Sequence, residues 1–251
     1  MDTGWNIKSL QETIVMSATY RQASADPPEV LQKDPENRLL ARGPRLRLGP
    51  EVIRDQALDV SGLLVEKIGG PSVKPYQPPG LWRELAGGKD YEHDKGEGLY
   101  RRSLYTYWKR TVAPPFMVNF DSPNRETCTV RETRTNTPLQ ALDLMNDVAF
   151  IEAARKLAER MMEEGGKAPR DRITFAYELV LARPPKPAEM QVVLDTLAAF
   201  EARYHGDKKS AKSFLAHGDS LRNRKLDPCE LAAYTSIASL VLNLDETVTK
   251  Q

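Results

Sequence analysis

Cysteine is nearly absent from the chain. Cys128 and Cys229 are the only two, far apart in sequence, and at that spacing they make neither a zinc signature nor a disulfide framework. They read as unpaired thiols, one in a polar loop and one on a helix face, so the redox compartment stays open. Histidine is as scarce. His93, His205 and His217 are the whole supply, none stands at a ligand spacing such as HExxH, and no metal site is expected. An excess of one charge is also missing: Lys and Arg number 36 against 35 Asp and Glu, for a net charge of +1. A nucleic-acid binder usually shows a basic excess or stripe, so this balance argues against that class.

Long hydrophobic runs are absent too. The longest apolar stretch, residues 231–244, is interrupted by Tyr234, Thr235, Ser236, Ser239 and Asn243 and falls short of the roughly 20 residues a spanning helix needs. Residues 1–5 carry no basic or apolar segment of a signal peptide, so the chain is cytoplasmic or its export signal lies outside this sequence. No GxSxG elbow, Walker loop or GxGxxG occurs, and without a CxxCH the chain attaches no c-type haem of its own. No cofactor in this chain is expected.

What is present is helical periodicity. Hydrophobic residues make up 40% and charged residues 28% of 251 positions, enough apolar material for a buried core. Ile7, Leu10, Ile14 and Val15 recur at helical spacing within 5–20, and Asp26-Pro27-Pro28 breaks that pattern. Gly49-Pro50-Glu51 opens a second helix, with Val52, Ile53, Ala57, Leu58 and Val60 on one face and Ser61-Gly62 as its close. Residues 69–98 hold so much glycine and proline that neither helix nor central strand is expected there, with Tyr76, Trp82 and Tyr91 to pack the loop. Residues 99–112 suit either period, and helix is the reading adopted.

From 137 onward the pattern is clearer. Thr137-Pro138-Leu139-Gln140 is a capping box, and its helix is expected to bend at Asn146-Asp147 and run on to Gly165-Gly166. Further helices follow over 172–182, 187–204 and 208–216, and a second capping box, Asp227-Pro228-Cys229-Glu230, starts one reaching 244. The expected fold is mainly α: an irregular helical part with an Arg-rich segment over 1–136, a bundle over 137–251, and the two continuous as one domain.

One segment stands out for chemistry. Arg101, Arg102, Arg110, Arg125, Arg131 and Arg134 lie among Asp121, Glu126, Glu132 and Asn136, with tyrosines and Trp108 close by. Guanidinium groups bind carboxylate, sulfate or phosphate in a fork and stack on aromatic rings, so an anion site built from Arg101, Arg102, Arg110, Asp121, Arg125, Arg131 and Arg134 is one reading. The other, favoured here, is an Arg–carboxylate network pinning irregular backbone onto the helices. A second cluster, Arg45, Arg47, Glu51, Arg54 and Asp55, is explained by pairing along a helix surface. His205-Gly206-Asp207 and its echo His217-Gly218-Asp219 read as turns at helix ends.

Several segments taken in order carry a resemblance: Ile14-Val15-Met16-Ser17-Ala18-Thr19-Tyr20-Arg21, Asp34-Pro35-Glu36-Asn37-Arg38, Glu51-Val52-Ile53-Arg54-Asp55, Gly69-Gly70-Pro71, Arg101-Arg102-Ser103-Leu104-Tyr105, Phe120-Asp121-Ser122-Pro123 and Thr135-Asn136-Thr137-Pro138-Leu139-Gln140. Together they resemble the DUF1553 family, also called the planctomycete PSD1 domain, over nearly the whole chain. Gln11-Glu12 departs from the His-Arg pair expected there.

The resemblance implies a C-terminal portion of a larger extracytoplasmic protein, set in the periplasm or at the cell surface. It implies an upstream DUF1549-type domain and a cytochrome-type domain as partners, with any haem held by the latter. It supplies no catalytic residues. The function expected is a non-catalytic accessory module; the alternative is an enzyme or binding protein acting on anionic polysaccharide, with Asp121, Glu126 or Glu132 as acid–base candidates.

Overall fold

The computed structural model describes residues 4–24, 27–85, 87–88, 90–130 and 134–250. The chain forms two units, Met1–Arg47 with Thr249–Gln251, and Leu48–Val248.

The first unit holds α1 (Ile7–Val15), α2 (Pro28–Lys33) and a two-stranded antiparallel ribbon of β1 (Leu46–Arg47) and β2 (Thr249–Lys250). Asn6 caps α1 by accepting from the Ser9 N–H at 3.2 Å. The helix is shorter than its pattern because Ser17 competes with the backbone: its hydroxyl donates to the Ile14 carbonyl and accepts from the Tyr20 N–H. No residue of α1 is buried. Pro27-Pro28, read above as a break, also begins α2, since the first helical turn needs no N–H from proline. The buried carboxylate of Asp34 then accepts from the Arg38 and Leu39 N–H groups and folds the following turn.

The second unit is predominantly helical. Its elements are α3 (Pro50–Val60), α4 (Leu81–Leu85), two 3-10 turns (Gly96–Tyr100 and Ser103–Tyr105), α5 (Pro115–Asn119), α6 (Pro138–Asn146), α7 (Val148–Glu164), α8 (Pro169–Leu181), α9 (Pro187–Gly206), α10 (Lys208–Phe214), α11 (Pro228–Leu242) and α12 (Asp245–Val248). The helices from α7 to α11 share one core, in which Leu157, Met161, Ile173, Leu231, Ile237 and Val241 are fully enclosed. Leaving these side chains in water would cost about 1.5–3 kcal/mol each, which is what draws α11 against α7 and α9. A smaller cluster joins Ile53 and Ala57 of α3 to Phe120, Leu144 and Phe150.

The caps explain the boundaries. Both halves of the Thr137–Gln140 capping box form, and Asp147 ends α6 and caps α7 in a full break between two helices. Asp227 caps α11 through the Cys229 and Glu230 N–H groups, while Glu230 turns away to Arg172 at 2.7 Å instead of completing a box.

Residues 99–112 are not the helix expected of them. They run as 3-10 turns and isolated bridges, Val65 to Arg101, Val73 to Thr106 and Lys109 to Val112. Partners distant in sequence take their backbone groups, so local preference loses. The Gly/Pro-rich stretch before them carries, among its described residues, the short helix α4, whose Trp82 is buried against Tyr91 (centroids 5.0 Å apart) and donates to Gln77.

Candidate functional site

Helix α3 organises the site. Glu51, Asp55 and Asp59 stand at successive turns and share one edge of the helix, as i, i+4 and i+8 positions must. On the opposite side Ile53 and Ala57 enter the core, and Val52, placed by its pattern with them, is exposed instead. The carboxylate edge lines an open cleft of about 660 Å³, completed by Gln56, Leu64, Arg102, Leu104 and Arg125. That is the size of a small-molecule or short-oligomer site.

Charge within the cleft is loosely matched. Arg102 Nε lies 3.6 Å from Asp55 Oδ2, and Asp55 Oδ1 accepts from the Ser103 N–H at 2.6 Å. Arg125 places its guanidinium 4.4 Å above the Trp108 ring and 3.9 Å from Glu51 Oε1. Among the described residues neither arginine makes the close two-pronged pair that would lock it, so both present donors to the cleft.

The other arginines named from sequence are dispersed. Arg101 is buried and donates to the carbonyls of Lys67, Gly69 and Pro71 while covering the Tyr105 ring at 3.9 Å, which staples the glycine turn at 69–71 in place. Arg110 pairs with Glu126 at 2.8 Å on the surface. Asp121 accepts from both the N–H and the hydroxyl of Thr135. Arg134 is exposed. Arg131 and Glu132 lie outside the described residues. Among the described residues of the set, Arg102 and Arg125 line the cleft.

Arg54, read above as a partner in helix-surface pairing, is buried. It holds the Leu99 and Arg101 carbonyls and the Ser103 hydroxyl at 2.6–3.1 Å. Burial lowers its pKa, opposed by the nearby Asp55 and Asp147 charges.

A second polar cluster had no signature in the sequence. Glu152, Arg155 and Glu159 lie buried along α7. Glu152 Oε1 accepts from the Tyr100 hydroxyl at 3.0 Å and the Ser220 N–H at 2.6 Å, and Arg155 donates to the Ser220 carbonyl and hydroxyl. The Tyr76 hydroxyl accepts from the Asp219 N–H at 2.8 Å, and Asp219 stands 3.7 Å from His93. Burial raises the Tyr100 pKa to about 12, with the Glu152 charge adding to it. The cluster straps residues 219–223 to α7. The two His-Gly-Asp turns belong to this architecture: Asp207 caps α10, and Gly218 adopts a left-handed φ of +84°.

Among the described residues no group of three His, Cys, Asp or Glu is arranged to hold a metal, and no helix is long and apolar enough to cross a membrane. Cys128 is exposed and Cys229 buried, and both are free thiols. The family model described as PSD1, protein of unknown function (DUF1553), matches residues 1–197. No curated protein and no solved structure matches the chain.

Proposed function

The chain belongs to the DUF1553 family, and from that membership we propose that it serves as a non-catalytic accessory module docking onto a neighbouring domain through α1. One observation carries this reading. Ile7, Leu10 and Ile14 form an apolar row at i, i+3 and i+7, and they are 70%, 61% and 50% exposed. A nine-residue helix is marginal in water on its own, and such a row gains stability only when something covers it. The occupant assigned is an upstream DUF1549-type domain, with a cytochrome-type domain as further neighbour and a periplasmic or cell-surface setting.

The test is binding of this chain to a separately produced DUF1549-type domain by titration calorimetry, before and after Ile7→Ser, Leu10→Ser and Ile14→Ser are combined. Binding lost in the triple variant supports the reading. A wild-type chain that stays monomeric and ignores the domain sinks it.

A second reading follows from the cleft. Arg102 and Arg125 offer fork donors to a sugar's anion, and Glu51, Asp55 and Asp59 accept from its hydroxyls, in a space that fits a sugar or two, which suits an anionic polysaccharide. Arg102→Ala with Arg125→Ala is expected to abolish binding of a uronate oligomer at this site.

A further inference from the structure

The balanced charge of the chain conceals a local imbalance. Between positions 203 and 225 stand Arg203, Lys208, Lys209, Lys212, Arg222, Arg224 and Lys225, against only Asp207 and Asp219, although the whole chain carries +1. The two acids are committed elsewhere. Asp207 accepts from the Lys209 and Ser210 N–H groups, and Asp219 faces His93. Among the described residues none of the seven cations lies within ion-pair distance of a carboxylate, whereas Arg160, Arg172 and Arg183 in the same bundle all do.

The geometry gathers part of this charge into a concave surface. Lys208, Lys209 and Lys212 of α10, with Ser213 and Ala216, line a trough of about 420 Å³. Positions 208 and 212 share a helix face, and 209 flanks them, so the three lysines stand within little more than one turn. The Asp227 carboxylate, at the head of α11, is near enough to Lys208 to feel its charge. Asp227, which also caps α11 through the Cys229 and Glu230 N–H groups, sets one carboxylate against the three lysines and leaves the trough net positive.

We propose that this strip binds an anionic polysaccharide, its sulfate or carboxylate groups seated in the lysine trough. The site is distinct from the α3 cleft and goes beyond both readings above. The trough has no aromatic wall on which a base would stack. Leu221 is the one large apolar side chain exposed between 203 and 225, too little for an inserted membrane face. A hydroxyl, a methyl and three point charges suit sugar rings carrying anions.

The experiment measures binding of the full chain to heparin and to polygalacturonate at 0.15 M salt. The same assay is run on a duplex DNA oligonucleotide and on phosphatidylserine vesicles. Combining Lys208→Ala, Lys209→Ala and Lys212→Ala is expected to weaken binding of the favoured polysaccharide at least tenfold and to flatten its salt dependence, because fewer counterions are released. These side chains are exposed, so an unchanged circular dichroism spectrum and melting temperature should accompany the loss. A charge-matched control, Lys33→Ala, Lys95→Ala and Lys167→Ala at three exposed lysines outside the strip, is expected to leave binding unaltered, and an equal loss there would overturn the proposal by reducing the effect to net charge. Equal affinity of wild type and trough variant overturns the proposal, as does tighter binding to DNA or to vesicles than to either polysaccharide.

Discussion

Gly218 lies so close to Glu152 that a Cβ at position 218 would stand 2.2 Å from the glutamate Cδ. The glycine also holds a φ of +84°, which a side chain disfavours on its own account. Gly218→Ala must therefore displace a buried carboxylate that accepts from Tyr100 and Ser220. A loss of about 3 kcal/mol in unfolding free energy is expected. Adding Glu152→Ala removes the clash, so the double variant should be less destabilised than the sum of the singles in a denaturant titration. Additive losses would mean that Glu152 is not what Gly218 makes room for.

Arg54 is the pin on which residues 99–106 hang. One buried guanidinium satisfies two carbonyls and a hydroxyl. Arg54→Met is expected to cost about 3 kcal/mol and to raise amide exchange at Val65 and Tyr107, whose N–H groups bond the Tyr100 and Val73 carbonyls. Arg54→Lys should not rescue it, because a single ammonium lacks the planar fork. Unchanged exchange at both amides would show that the segment holds its shape without Arg54.

Helices α6 to α11 announce themselves through period and caps, and the Thr137–Gln140 box forms in both directions. The stretch 99–112 does not, because Thr, Tyr and Trp fit two periods and the deciding partners, Arg54, Val65 and Val73, come from distant parts of the chain. The cleft was half visible. Arg102, Arg125, Glu51 and Asp55 were each notable, but their convergence depends on how two segments fold onto α3, and sequence spacing carries no record of that. Arg101 belonged to the same run of arginines, yet one position of register turns it inward to the loop carbonyls while Arg102 faces the cleft.

Arg183 joins three elements. It pairs with Glu189 at the start of α9 and Glu246 of α12 from the turn that closes α8. Its hydrogen bonds hold the Glu189 carboxyl down at about 2 and lower Glu246 as well. A depressed folded pKa means stability that is complete above the ordinary glutamate range and fades as pH falls toward 2. Arg183→Gln is expected to cost about 1–2 kcal/mol at pH 7 and much less at pH 2.5, read by urea titration at both values. A cost independent of pH would locate the effect in packing and not in charge.

Asp147 runs the other way. It caps α7 through the Ala149 N–H at 2.8 Å, but burial raises its pKa to about 6, against the pull of that bond and of the Arg54 charge. The folded state therefore keeps a proton that the unfolded chain releases near 4. Stability from this group is complete below pH 4 and is lost as pH climbs through 6. Asn is as good an N-cap as Asp and carries no charge to desolvate. Asp147→Asn is expected to match the wild type at pH 4 and to exceed it by about 2 kcal/mol at pH 7.5. Were the variant less stable at pH 7.5, the ionised carboxylate would be stabilising α7 and Arg54 by more than its burial costs, and the assignment of a raised pKa would fail.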